Sequence, residues 1–390
     1  MLKGHFSRAF ADSPDRLHFA AHSHHLWPDV TFDAQQQHWL DAARLADTKW
    51  QKVLGDVLPE AQRWIARRLG LSRPEAIAVG PSVHDFLVRI LSCFRPGQRL
   101  RILATDGEFH SFQRQALRLE EAGTADVERV AVEPFESFPE RFSAAAAAGG
   151  HDLVYFSQVF FNSGYAVPDL AALIAAIPSH ETFVVVDGYH GFMALPTDLS
   201  ALEERIFYTA GGYKYAMSGE GICFLHCPPG FGLRPRDTGW FAAFGDLSQS
   251  PEEATQRVPY SPDGYRFFGA TFDHTGLYRL VAVQRWLDQQ GVDVAAIHRH
   301  VQGLQAQFLD QLPSLRHHDL SLANLLPGRE IEPRGHFLTF RTPQAGELHA
   351  LLTDAGIATD YRDDRLRFGF GVYHQQDDVS RLMAALQQLP

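Results

Sequence analysis

Asp187, His190, Tyr213 and Lys214 bring an acid, an imidazole, a phenol and an amine into one short stretch of the chain. Before the acid stands Thr182-Phe183-Val184-Val185-Val186, a continuous β-branched and aromatic run that suits a strand buried on both faces. A second apolar run, Ile206–Thr209, leads into Ala210-Gly211-Gly212-Tyr213-Lys214. An acid and a lysine at the carboxyl ends of two such strands can face one crevice, where open α/β sheets hold their ligands. A carboxylate buried there alone is costly, so Asp187 needs a cationic or proton-bearing partner. A protonated ring nitrogen would serve, as would the ordinary alternatives of a helix cap or an ion pair. Lys214 follows an apolar strand instead of lying on a charged helix face. In a crevice its pKa falls with burial, and such an amine can form a Schiff base with a carbonyl compound.

The elements that must position these groups alternate along the chain. A short strand over 16–27 enters the loop His22-Ser23-His24-His25, and the pattern from Asp29 to Leu69 is helical. Ala76–Val79 reads as a buried strand turned by Gly80-Pro81-Ser82 into a helix over His84–Phe94. That turn aims backbone N–H groups and a hydroxyl at one point, a common phosphate seat. Strands follow at Arg101–Thr105, Val127–Val132, Leu153–Ser157 and Ile222–Leu225, with helices opening at Phe109-His110-Ser111, at Phe138 and at Pro168. Strand and helix thus alternate over roughly 76–226, which makes the class α/β with a mostly parallel sheet. Residues 228–265 are loop-rich with Phe231, Trp240, Phe241 and Phe244. Helices near Leu277–Gln289, Ile297–Leu312, Gly346–Ala355 and from Asp377, with strands at Phe337–Phe340 and Arg365–Phe370, fill the remainder.

Composition bounds the function. A chain of 390 residues that is 45% hydrophobic can bury a large core divided between two domains. A net charge of −11 without any basic run argues against nucleic acid or an anionic membrane surface as partner. Cys93, Cys223 and Cys227 are too few and wrongly spaced for a disulfide framework and read as reduced thiols. With no signal-like apolar segment at the start and no run of the roughly 20 apolar residues a membrane helix needs, a soluble cytoplasmic protein is expected. His22, His24 and His25 suggest a metal, but no Asp, Glu or Cys set stands nearby at zinc-like spacing. The better reading is a loop lining a polar cavity, with no metal.

The series formed by the Ser82 turn, Phe109, Asp187-x-x-His190, Tyr213-Lys214, Trp240 and Arg367 resembles the class V aminotransferase group of fold-type-I pyridoxal-phosphate enzymes, and within it the kynureninases most. The likeness runs from the N-terminal loop to Arg367-Phe368-Gly369-Phe370. It implies an aspartate aminotransferase-like fold with a mostly parallel, seven-stranded type of sheet in a large cofactor-binding domain over 46–276. A smaller α+β domain would combine 1–45 with 277–390. It also implies pyridoxal 5'-phosphate as cofactor, an amino acid as substrate and a homodimer with a shared active site. Lys214 would hold the cofactor as a Schiff base and shuttle protons; Asp187 would pair with the ring nitrogen, with His190 beside it; Phe109 would stack on the ring. Ser82, the backbone of Val83 and Tyr213 would hold the phosphate, and Trp240 and Thr271 would reach across the dimer. Arg367 would grip the substrate α-carboxylate, a bidentate task suited to guanidinium, and Ser23 would touch substrate.

The departures fall on the substrate wall. The kynureninase-like Gly-Asn-Ser-Leu-Gly reads Ala21-His22-Ser23-His24-His25, His84 stands where the family has asparagine, and Thr271 replaces a substrate-selecting asparagine. Ser82 replaces the usual phosphate-side threonine and keeps its hydroxyl. With His190, these histidines favour a polar or anionic substrate. The favoured activity is kynureninase-like Cβ–Cγ hydrolysis, in which Tyr213 or a pocket histidine relays a proton. A class V aminotransferase or epimerase needs only the shared residues, and a non-catalytic pyridoxal-phosphate protein is the alternative of another class. Cysteine desulfurization needs a mobile cysteine in the C-terminal part, and no cysteine follows Cys227.

Overall fold

The computed structural model describes residues 2–232, 234–243 and 258–388, which leaves Phe244 and part of the loop-rich segment outside the described residues. Thirteen strands occur among them: β1 (Leu17–His18), β2 (Ile77–Gly80), β3 (Leu100–Thr105), β4 (Ala125–Val130), β5 (Leu153–Ser157), β6 (Phe183–Asp187), β7 (Phe207–Gly211), β8 (Cys223–His226), β9 (Leu325–Leu326), β10 (Phe337–Arg341), β11 (Ile357–Ala358), β12 (Asp360–Arg362) and β13 (Arg365–Gly369). Seven of them form one sheet in the order β2-β8-β7-β6-β5-β3-β4. Its strands are parallel from β7 to β4; β8 alone runs against its neighbours. The chain is therefore α/β with a mostly parallel seven-stranded sheet, as the alternation and the resemblance imply.

Burial explains the strand compositions. Every residue of β5, β7 and β8 is buried, and Val184, Val185 and Val186 of β6 are at most 1% exposed. Each such side chain contributes about 1.5–3 kcal/mol relative to an exposed position. β4 lies at the sheet edge and alternates instead, so its pairing starts at Ala125, two residues before the apolar run Val127–Val132 suggests. Register then sets the chemistry. Ser157 pairs with Asp187 and Asp187 with Thr209, so the carboxyl ends of β5, β6 and β7 lie level with one another.

Ser82 caps the helix Val83–Ser92 by accepting a hydrogen bond from the Asp85 amide (3.1 Å), and Phe86, Leu87 and Ile90 are its buried face. The helical pattern expected from Asp29 to Leu69 is broken. A first helix, Val30–Leu45, stops at Ala46, whose φ is +47°; short turns follow, then Leu58–Leu69, with Pro59 in its first turn and Gly70 left-handed at its end.

A second, antiparallel sheet has the order β12-β13-β10-β9, and its own core joins Phe308, Phe340, Phe368 and Phe370. The N-terminal segment is sewn to it: β1 pairs in parallel with β11, and the Gly369 amide donates to the Phe19 carbonyl at 2.7 Å. A Cβ at Gly369 would lie 2.2 Å from His22 Nδ1, so only glycine lets the His22–His25 loop lie against β13.

This seam is rich in buried imidazoles. His18 Nδ1 shares a 2.6 Å hydrogen bond with the Tyr373 hydroxyl, His25 Nδ1 donates to the Leu26 carbonyl at 2.7 Å, and His374 stacks on Phe19 with centroids 4.4 Å apart. Burial, reinforced by the nearby charge of His25, holds His18 down to about 3; burial also holds His25 down to about 4, against an ordinary value of 6.5. These rings stay neutral when folded and take up protons when unfolded, so stability falls as pH drops below 6.5 and the fall ends near the folded values. His25 alone accounts for about 3 kcal/mol at its lower limit. Thermal melts should show Tm falling from pH 6.5 toward 4, with a shallower fall in His25→Phe; a Tm flat across that window would refute the assignment.

Candidate active site

The level carboxyl ends of β5 to β7 floor a cavity of about 260 Å³. Its wall includes Pro81, Ser82, Val83 and His84 from the turn and first helix residues after β2, Phe109 and Ser111 from the start of the helix His110–Glu121, and Tyr155 and Ser157 from β5. Asp187, Tyr189, His190, Tyr213 and Lys214 complete it, with Glu220, Gly221 and Cys223 toward β8. The Tyr213-Lys214 turn can fold back because Gly212 has no side chain: a Cβ there would come within 2.5 Å of Ile222.

Lys214 is the buried cation of this cavity, 6% exposed, with Nζ 2.6 Å from His190 Nε2. The rings of Tyr189 and Phe109 lie 5.0 and 5.5 Å from the same nitrogen. Burial pushes the amine down to about 7; the Asp187 carboxylate works against that shift and Arg367 adds to it. Burial together with the Lys214 charge holds the His190 imidazole well below its ordinary value, so the ring is neutral. With Nε2 accepting from Lys214, the ring hydrogen is assigned to Nδ1, an atom with no protein partner.

Asp187 accepts the Tyr155 hydroxyl on Oδ2 and the Tyr189 amide on Oδ1, both at 2.9 Å. Burial still raises its pKa, although those two hydrogen bonds and the Lys214 charge oppose the rise. Tyr155 is held from behind by Phe112, stacked at 3.9 Å. Tyr213 packs against Tyr189 (5.1 Å) and His24 (5.4 Å), and burial pushes its phenol up to about 12.

The helix Val83–Ser92 brings its N-terminus to the cavity wall, where first-turn N–H groups favour an anion. The Ser82 hydroxyl is already engaged there with the Asp85 carboxylate and amide.

Eight of the residues singled out in the sequence therefore share one wall: Ser82, Val83, His84, Phe109, Asp187, His190, Tyr213 and Lys214. The structure does not bring the other four to it. Arg367 is 3% exposed, with its Nη groups donating to the Phe161 carbonyl and to Asp360, while its Nε has no partner. His22 stands close by, stacked on Phe337 at 4.7 Å with Nε2 3.7 Å from Asp360 and neither ring nitrogen hydrogen-bonded. Ser23 is half-buried beside His24. Trp240 and Thr271 bond to each other at 3.2 Å, away from the cavity.

Sequence reasoning missed Tyr155, Ser157, Tyr189 and Cys223. Two carried a signal: Tyr155 and Ser157 are polar groups in an otherwise apolar strand, alternating onto the face that Asp187 uses. Among the described residues no cluster of histidine, cysteine or acid has the makings of a metal site, and no helix is long and apolar enough to cross a membrane.

A model of the Aminotransferase class-V family matches residues 87–382. A kynureninase of Deinococcus radiodurans is 28% identical over 240 residues, which span 60% of this chain and 56% of that protein. An uncharacterized aminotransferase of Bacillus subtilis is 22% identical over 346 residues, 88% of this chain and 86% of its own. Among solved structures, a mutant of C-DES with glycine covalently linked to its PLP cofactor superposes with a TM-score of 0.82 at 18% identity, covering 98% of this chain and 99% of the other.

The support of Asp187 by Tyr155 is open to test. Tyr155→Phe removes one of the two donors to a buried carboxylate, so equilibrium unfolding of the cofactor-free protein should show a loss of about 1–3 kcal/mol. An unchanged unfolding midpoint would show that this hydrogen bond carries no weight.

Proposed function

Because the chain belongs to the Aminotransferase class-V family, whose cofactor is pyridoxal 5'-phosphate, we propose that it transforms an amino acid in the Asp187–Lys214 cavity, by kynureninase-like Cβ–Cγ hydrolysis. The observation that carries this reading is the 2.6 Å contact between Lys214 Nζ and His190 Nε2. It places an amine lowered to about 7 against a neutral imidazole at the end of a buried strand, so a proton held at Nζ has an acceptor within reach.

The residues present suit the cofactor. Asp187, a buried carboxylate, would pair with a protonated ring nitrogen, Phe109 would hold a ring by its face, and the helix N-terminus at the Ser82–Val83 turn would receive a phosphate. Bound there, pyridoxal phosphate supplies an aldehyde that condenses with amines and a ring that stores the electron pair released at the substrate.

The remaining work belongs to the side chains. Lys214 Nζ would hold the cofactor through its amine and would serve as the base for the substrate α-proton. Tyr213 keeps its phenol proton at neutral pH and would return one to the carbon freed by cleavage. Arg367 receives the substrate carboxylate by exchanging it for Asp360, and His22, with unpaired ring nitrogens beside that ion pair, adds a donor. His84 and Ser23 would line the outer part of the substrate path, and Trp240 and Thr271 would serve the second subunit of a homodimer. Hydrolysis is favoured because the kynureninase relative shares 28% of its aligned residues with this chain. Transamination or epimerization is the second reading, favoured by an aminotransferase relative aligned over 86% of its length.

Incubation with kynurenine and 3-hydroxykynurenine, following anthranilate fluorescence and alanine release, separates the readings. Turnover of either compound is expected. Its absence together with pyridoxamine formation on an amino-acid panel would assign transamination instead. Lys214→Ala should lose the yellow absorbance of the lysine-linked cofactor and lower turnover on the order of 10²–10⁴-fold. Cofactor capture by the cofactor-free protein should speed up as pH rises through about 7, where the amine becomes neutral.

A further inference from the structure

Glu108 lies one residue before Phe109 and is completely buried. The Thr105 hydroxyl bonds to its Oε1 and the Ser157 hydroxyl to its Oε2, both at 2.6 Å, while the Ser157 amide approaches Oε1 at 3.3 Å. Among the described residues no lysine, arginine or histidine pairs with it. Ser157 is itself part of the cavity wall and is the register partner of Asp187. One hydroxyl thus connects a second carboxyl to the same floor.

Two carboxylates on one dry floor cannot both ionise cheaply, and the donors decide which does. Asp187 receives the Tyr189 amide, the Tyr155 hydroxyl and the field of Lys214. A backbone N–H can only donate, so Asp187 is served as an anion. Glu108 is served chiefly by hydroxyls, which donate to a carboxylate or accept from a carboxylic acid equally well. The titratable groups facing it are Asp187 on β6 and Tyr155 on β5; Asp106 and His110, beside it in sequence, are exposed. Burial, reinforced by the Asp187 charge, pushes Glu108 up to about 8.

We propose that Glu108 is a positioning residue that carries a proton at neutral pH and, through Ser157, keeps Asp187 the one anion on the cavity floor. With the proton on Oε2, Glu108 donates to Ser157 Oγ, and the Ser157 hydrogen is released to turn toward the cavity. The inference rests on the reading of Asp187 as partner of the cofactor ring. It adds a residue whose charge state fixes how much negative potential that ring meets.

The test uses the full chain, with and without pyridoxal phosphate, and compares wild type with Glu108→Gln. Infrared difference spectra should show the carbonyl stretch of a protonated carboxyl in wild type at neutral pH. That band should be absent from Glu108→Gln and lost from wild type above pH 8. Because folded Glu108 keeps its proton to about 8 while the unfolded side chain releases it near 4.5, wild type loses stability as pH rises between those values. The Tm of Glu108→Gln relative to wild type should therefore climb across that window and level off above it. A merely structural, ionised Glu108 would give no band and a Tm deficit without a pH trend, and either result overturns the proposal. Should Glu108→Gln fail to fold, Ser157→Ala keeps the acid and must shift the band, since it removes the hydroxyl bonded to Oε2; an unshifted band would likewise overturn it. A chain that shows the band but takes up no pyridoxal phosphate would keep the proton on Glu108 and remove the proposed function instead.

Discussion

Holding a lysine and an aspartate together out of water is the constraint on which the rest of this structure depends. Either charge alone would be expensive in that setting, and their mutual attraction does not fully offset the loss of hydration. The result appears in both directions: the Lys214 amine is lowered and the Asp187 carboxyl is raised. What keeps the pair in place is the sheet. β6 and β7 are parallel neighbours in a register that puts Asp187 level with Thr209, five residues before the lysine, and the surrounding valines hold both strands. The chemistry is thus a by-product of ordinary strand packing carried to the point where the strands end.

That origin explains what could be read from the sequence. The run Thr182–Val186 announces a strand covered on both faces, and the acid following it marks where cover stops. The glycine pair before Tyr213-Lys214 announces a turn, and the structure shows why glycine is needed at Gly212. The turn at Gly80-Pro81-Ser82 was legible from its residue types, while the cap that Ser82 makes on the Asp85 amide emerges only in the structure. Edges were harder. β4 begins earlier than its apolar residues suggest because an edge strand needs cover on one face only, and the long helical pattern after Asp29 conceals the break at Ala46.

Other parts of the site depend on distant segments and leave little local trace. Tyr155 becomes the partner of Asp187 only through strand pairing, and Glu108 reaches Ser157 from a loop 49 positions earlier. Arg367 is the clearest case. The resemblance implies an anion grip for it, yet Asp360, on the neighbouring strand, already occupies it, a contact set by antiparallel register. Trp240 donates to the Thr271 hydroxyl, and among the described residues both stay outside the cavity.

The Arg367–Asp360 pair shows how a buried guanidinium keeps its charge. Arg367 is lowered to about 10 by burial, with Asp360 opposing the shift, so it remains charged throughout the neutral range. Asp360 offsets only part of that charge, because two guanidiniums converge on its one carboxylate. Asp360 has another cation to turn to, because Arg362 Nη1 stands 2.6 Å from its second oxygen. Two guanidiniums on one carboxylate leave this corner of the fold with a net positive charge, and a carboxylate grip by Arg367, as proposed, would draw on that surplus.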